Sequence, residues 1–377
     1  MKGNIETLLR NPLGFLGEPA GDDGIVLSTR LRFARNLAGH RFPGALPPEE
    51  RSAIGETVEA AVSAGTAPPK GRRRGASAVR KKETPGSSAA APDGELLVFD
   101  PGAMERIDRE VLAERRLLTA DLLRSPAGTM LLVRPDETVS VTVNGEDHIR
   151  LQSLRPGFRL AECLGELNRI DDLLAARLDY AFDDKLGYLT ASPTNVGTGM
   201  RASVMLHLPG LVLSGQIAAT VQGIGKLNLS VGGAFGDGTD NRGNLFVIAN
   251  LSTLGESEEE ILERLAAVIR QLVAQERLAR AGLIEKDQNA IYDFVGRSYG
   301  VLRHSYCLGG AEAVKCLSGV RFGVDAGLFG SLTAARVNEL LLAVGSAHLQ
   351  KRAGRELNAS ERAARRAALC REMLKNA

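Results

Sequence analysis

The stretch TASPTNVGTGMRAS, residues 190–203, is dense in small residues, holds two glycines one residue apart (Gly197 and Gly199) and delivers an arginine, Arg201, near its end. Such a composition lets the backbone pass close to a ligand or to another part of the chain. A P-loop would follow its glycines with Lys and then Ser or Thr, and a dinucleotide fingerprint would complete G-x-G-x-x-G. Neither pattern is present. What the loop serves depends on what surrounds it.

The loop runs into SVMLHL (203–208), which reads as a strand, as does NLFVIAN (244–250). Upstream, TMLLV (129–133) and TVSVTV (138–143) read as two more strands around a Pro-Asp turn. The period then changes. From Ser257 onward, Ile261, Leu262, Leu265, Val268, Ile269, Leu272 and Val273 recur at helical spacing, with Ser257 and Glu260 forming a capping box. From about residue 275 to 377 the chain reads as mainly helical, with ARVNELLLAVGSAHLQ and SERAARRAALCREML the strongest segments. The expected class is α+β, a sheet-bearing part followed by a helical part, with a boundary near residue 280.

Composition narrows the function. The net charge of +2, from 47 basic and 45 acidic residues, gives no global field for nucleic acid or a membrane surface. Trp is absent and Phe and Tyr number only 11 and 5, which leaves few platforms for stacking bases. No apolar run is long enough to span a bilayer, and the N-terminus lacks a signal-peptide pattern. Cys163, Cys307, Cys316 and Cys370 are widely spaced, which suits a reduced cytoplasmic setting and packing as small apolar residues. Residues 65–95 break the composition with seven basic residues and four prolines, and read as a disordered, solvated insertion.

Arginines come from several separate places. STRLRFARN supplies Arg30 and Arg32, which two-residue spacing puts on one face of a strand. NGEDHIR supplies Glu146, Asp147, His148 and Arg150, and the glycine loop supplies Arg201. A second glycine-rich loop, VGGAFGDGTDNRGN, carries Asp237 and Asp240. Converging guanidinium groups suit a polyphosphate, because their planar forks match phosphate oxygens. Acidic groups beside them could orient and deprotonate a nucleophile for in-line phosphoryl transfer. His148 reads as a structural member of its motif and His207 as a core or edge histidine.

STRLRFARN, NGEDHIR, SPTNVGTGMRAS and GNLFVIANLSTLG, in that order, resemble the ordered motifs of the ATP:guanido phosphotransferases, and within them the bacterial protein-arginine kinases. The likeness runs from about residue 24 to 280, and the remainder is similar to the C-terminal dimerisation domain of those kinases. The resemblance implies an antiparallel sheet flanked by helices (24–280) after an N-terminal segment (1–23), then an all-helical dimerisation and regulatory domain (281–377). It implies ATP with Mg2+ held through the phosphates, arginine-bearing protein substrates, a homodimer, and a setting in stress response and protein quality control with a Clp-type protease and an activator protein. The rival expectation is an impaired homologue that binds nucleotide or phosphoarginine as a regulator.

Residue by residue, the resemblance implies phosphate contacts from the Ser28-Thr29-Leu31 segment with Arg30 and Arg32, from Arg150, and from Arg201-Ala202-Ser203-Val204-Met205. Glu146 takes the position of the base that orients the substrate guanidinium. Asp237 takes that of the second carboxylate, on a nucleotide-side loop made of Gly232, Gly233, Ala234, Phe235, Gly236 and Asp237. Arg116 stands where these kinases carry a histidine near the nucleotide. Arg362 and Arg366 match a phosphoarginine-binding motif in which Ala363 replaces the acid. Three further departures are Ser192 for a cysteine, Gly145 for a glutamate and Gly232 for a phosphate-binding arginine.

Overall fold

The computed structural model describes residues 2–17, 24–63, 96–124, 127–234 and 242–375. Its centre is an eight-stranded antiparallel sheet. In chain order the strands are β1 (Val26–Arg35), β2 (Leu97–Phe99), β3 (Met130–Val133), β4 (Val139–Val143), β5 (Ile149–Pro156), β6 (Phe182–Asp183), β7 (Gly187–Tyr188), β8 (Met200–His207), β9 (Leu229–Gly233) and β10 (Leu245–Asn250). The sheet order is β2-β3-β4-β5-β1-β8-β10-β9, with β6 and β7 forming a separate hairpin. β1 is therefore a central strand, buried between β5 and β8, with almost no solvent along its length.

The two faces of this sheet do different things. On one, Leu31 and Phe33 of β1, Leu151 of β5 and Val204 of β8 pack with Leu167 and Ile170 of the Leu160–Ala175 helix and with Ile261 and Leu265 of the Glu258–Lys286 helix. Truncating a fully buried Phe such as Phe33 costs on the order of 3–5 kcal/mol. The other face changes character along its length. At one end Leu154 and Met205 join Phe15, Leu16 and the C-terminal residues Leu317, Val320, Leu340 and Cys370 in a second core. At the other end the same face carries arginines, and the helical region stops short of it.

The strands around the Pro-Asp turn lie where the sequence put them, each one residue shorter at its start. The capping box is present: Ser257 Oγ accepts from the Glu260 amide (3.2 Å), and Glu260 Oε2 accepts from that of Ser257 (2.7 Å). The helix it starts runs unbroken through residue 280 to Lys286. ARVNELLLAVGSAHLQ is two helices and not one, Ala334–Ala343 and Ser346–Ala353, broken where Gly345 takes an extended ψ of 143° as the N-cap of the second. Cys163, Cys316 and Cys370 are buried as expected, but Cys307 is exposed, since it falls in the turn between helices Gln288–His304 and Gly310–Asp325. The basic insertion lies outside the described residues.

Candidate active site

Alternation along β1 sends Arg30 and Arg32 to one face. Register does the rest. Arg32 pairs directly with Arg201 of β8 and with Gln152 of β5, Arg30 pairs with Ser203 and Leu154, and Ala34 pairs with Arg150. Four guanidinium groups from three adjacent strands thus share one face. Like charges directly opposite each other in a sheet destabilise it, so this pairing is a cost that a bound anion would relieve.

The electrostatics carry the same message. Burial, and then the charges of Arg116, Arg150 and Arg201, push the Arg30 guanidinium down to about 9. Arg32 is driven well below its usual range by burial and by Arg30, Arg150 and Arg201, with Glu146 alone opposing them, and its buried Nε has no hydrogen-bond partner. Burial also lowers Arg201. A buried polar atom without a partner costs about 1–3 kcal/mol, more for a charged group. The face is built for something that is strongly negative.

Two hollows lie over it, lined by alternate arginines of the same strand. A cleft of about 190 Å³ is lined by Arg32, Glu146, Arg150, Ser192, Asn195 and Arg201. Beside it Phe15, Ser28, Arg30, Arg116, Ser203 and Met205 line a smaller one. Arg116 thus shares a hollow with Arg30, pushed down to about 10 by burial, with Nη2 donating to the Ala234 carbonyl.

Glu146 sits at the rim, half-exposed, and accepts from Arg150 Nη2 at 2.9 Å. Its neighbours hold it there. Asn144, at φ 57, sends Nδ2 to the carbonyls of Arg51 (2.7 Å) and Gly128 (3.1 Å). Buried Asp147 accepts from Asn36 Nδ2 (2.7 Å) and from the Ala191 amide (2.8 Å), tying this turn to the glycine loop. His148 Nδ1 accepts from the Leu37 amide at 3.0 Å, and burial lowers its proton affinity. It is structural, as expected.

The glycines of the opening loop serve packing. Both have positive φ, and a Cβ at Gly197 would meet the Thr253 carbonyl oxygen at 2.4 Å, while one at Gly199 would meet that of Ala34 at 2.7 Å. The loop is also gripped from below by Arg35, whose Nη1 donates to the Thr198 carbonyl (3.0 Å) while Nη2 binds Asp171 (2.8 Å). Sequence reading missed this pair; its partners lie 136 residues apart, and no local pattern joins them. Ser192 Oγ lies 3.0 Å from Thr194 Oγ1 at the cleft edge.

Other expected contacts do not meet the ligand face. Thr29, Leu31, Ala202 and Val204 point to the opposite, fully buried face, a consequence of the period of two; Thr29 Oγ1 donates to the Gly157 carbonyl at 2.6 Å. Gly232 opposes Val247 on the arginine side, and Gly233 faces away from it. Phe235, Gly236 and Asp237 lie outside the described residues. Arg362 and Arg366 stand apart from this face. Arg366 is buried and donates to the carbonyls of Val344 and Leu308 (2.9 Å each), and Arg362 donates to that of Leu357. No cluster of three or more His, Cys, Asp or Glu side chains able to hold a metal occurs among the described residues. Nor, among them, is any helix long and apolar enough to cross a membrane.

Comparison with known proteins matches residues 82–279 to the family "ATP:guanido phosphotransferase, C-terminal catalytic domain" and residues 288–377 to "Protein-arginine kinase McsB C-terminal domain". The chain is 41% identical over 353 residues to the protein-arginine kinase of Bacillus subtilis, covering 94% of this chain and 91% of that one. It is 40% identical over 352 residues to that of Pelotomaculum thermopropionicum, covering 93% of each. Among solved structures, lombricine kinase shares the fold with a TM-score of 0.55 at 21% identity, over 75% of this chain and 72% of that one. The duplicated taurocyamine kinase of Schistosoma mansoni does so at 0.53 and 23%, over 73% of this chain and 36% of that one. The charged sheet face, the carboxylate at its rim and both family matches agree: the chain belongs to the ATP:guanido phosphotransferase family.

Proposed function

We propose that this protein is an ATP-dependent protein-arginine kinase, transferring the γ-phosphoryl group of ATP to arginine side chains of proteins. The observation that carries the reading is a face of guanidinium groups short of counter-charge, with one half-exposed carboxylate at its edge. Arg30, Arg32, Arg150 and Arg201 bind and neutralise phosphate oxygens, with Arg116 beside them. Such pre-positioned charge is worth more in a closed cleft than in water, because no solvent has to reorganise. Glu146 already holds one guanidinium, that of Arg150. In the reaction it holds the substrate's instead, aligns it for in-line attack and takes the proton from the attacking nitrogen. Asp237 is assigned the second carboxylate. Magnesium, carried on the phosphates, supplies further neutralisation when bound.

The catalytic unit spans residues 24–280, preceded by a segment 1–23, and residues 281–377 form a helical unit for dimerisation and regulation. Supporting this division, the two family matches meet between residues 279 and 288. A cytoplasmic setting, protein quality control, a Clp-type protease and an activator protein complete the proposal. The test is labelled ATP with Mg2+ and an arginine-bearing protein, followed by search for acid-labile phosphoarginine. Glu146→Gln should lower the rate by about 10²–10⁴. Label on hydroxyl side chains, or a rate that the substitution leaves untouched, would sink the reading.

A further inference from the structure

Three consecutive residues tie the guanidinium face to the C-terminal helices. Glu114 ends the Arg106–Glu114 helix, and its carboxylate caps the start of Ser346–Ala353. Oε1 accepts from the Ala347 amide (2.9 Å), and Oε2 accepts from the amide (3.1 Å) and Nδ1 (2.6 Å) of His348. Gly345 makes the approach possible, since a Cβ there would stand 2.4 Å from Glu114 Oε2. A second bond joins the same two helices, from Lys351 Nζ to Asp108 at 2.7 Å. The Ser346–Ala353 helix is itself anchored just upstream, where Arg366 Nε donates to the Val344 carbonyl.

Arg115, fully buried, gives Nε to Glu137 (2.9 Å) and Nη2 to the carbonyls of Leu8 (3.1 Å) and Asn11 (2.6 Å). Its Nη1 stands 3.5 Å from His348 Nε2. An imidazole protonated on Nδ1 alone satisfies both of its neighbours, donating to Glu114 and accepting from Arg115. Arg116 then turns at φ 65, the left-handed position that usually falls to glycine at a helix C-terminus. Its amide and that of Leu117 bond back to Ala113 (3.0 Å) and Leu112 (2.9 Å), and Gln152 Nε2 holds its carbonyl at 2.9 Å. A non-glycine residue stays in that region only where its surroundings over-determine it. Here they aim its guanidinium into the hollow that Arg30 also lines.

We infer that Glu114 and Arg115 are positioning residues for Arg116, so that the Ser346–Ala353 helix sets one of the phosphate contacts in the nucleotide cleft. This rests on the reading of the arginine face as a nucleotide site. Without the cap at 114, the end of the Arg106–Glu114 helix loses its hold on the C-terminal helices, and Arg116 can relax toward an ordinary backbone conformation. Its charge then leaves the hollow, while Arg30 stays there and Arg32, Arg150 and Arg201 stay in the neighbouring cleft.

The experiment is a double-mutant cycle on the intact chain, read as affinity for a fluorescent ADP analogue, which needs no turnover. Glu114→Ala and Arg116→Ala should each weaken binding by roughly three- to tenfold, and the double variant should be no weaker than Arg116→Ala alone. His348→Ala removes the cap's partner from the opposite side and should show the same non-additivity, which covers the case of a poorly folded Glu114→Ala. Effects that add, or unchanged affinity in Glu114→Ala and His348→Ala while Arg116→Ala weakens binding, would overturn the coupling and leave the nucleotide reading intact. If the parent chain takes up no analogue at all, the nucleotide reading falls and the coupling falls with it.

Discussion

Strand β1 carries two kinds of arginine on its two faces. Arg35 points down, where Asp171 takes two of its nitrogens, backbone carbonyls of Ala34 and Thr198 take another, and the Tyr188 ring lies 3.6 Å from its guanidinium carbon. Burial works against its charge, but Asp171 and Tyr188 outweigh it and hold the group above its usual range. Arg30 and Arg32 point up, where burial and like charges push both below it. One residue type on one strand thus serves as a finished structural bolt and as an unfinished binding group. The difference lies in whether a counter-charge is built in.

The largest effect should come from breaking the finished member. Removing one partner of a buried ion pair strands the other, so Arg35→Leu should cost about 3–5 kcal/mol in urea denaturation of the empty protein. Arg32→Met should do the reverse: stability equal to or above the parent, because a repelling charge is gone, with nucleotide affinity down by roughly ten- to hundredfold. Equal destabilisation by the two substitutions would erase the distinction.

Next in size is a test of what the face lacks. Gly232 lies on the arginine side of β9, and a Cβ there would meet nothing within 4 Å. Gly232→Arg can therefore be accommodated, and a further charge-assisted phosphate contact is worth about 1.5–3 kcal/mol. Tighter nucleotide binding by about tenfold or more is expected, seen by calorimetry. A fall in affinity would mean that this face already carries as much positive charge as its ligand can use.

How legible was this in the sequence? The spacing of Arg30 and Arg32 was enough to place both on one face, because a strand has only two. The same rule, applied to whole motif segments, would have removed Thr29, Leu31, Ala202 and Val204 from the ligand side. The capping box at Ser257 was legible because it is local. Arg35 with Asp171, Asn36 with Asp147 and Glu114 with His348 were not, since each joins residues more than a hundred positions apart. Gly197 and Gly199 signalled close approach to a ligand or to the chain itself, and it is the end of the central strand β1 and the loop at Thr253 that claim the space their side chains would fill. Composition signals close backbone approach without saying to what.

The smallest expected effect probes the unfinished arginines directly. Arg30, pushed down to about 9 in the empty site, has lost its proton in about half of the molecules at that pH and loses the rest as pH rises further. A polyphosphate offsets the neighbouring charges and so restores the proton to Arg30. Binding then takes up a proton wherever the empty site has lost one, and affinity falls as pH rises. Arg30's share grows through about pH 9 and amounts to at most about tenfold per pH unit; Arg32, lowered in the same direction, adds to the slope. Calorimetry of ADP binding in two buffers of different ionisation enthalpy would count the protons taken up at pH 9.5. Arg30→Met should lower that count. A parent protein whose affinity stays flat or rises between pH 8 and 10 would show that some counter-charge already serves the upper face of β1, and the contrast with Arg35 would lose its basis.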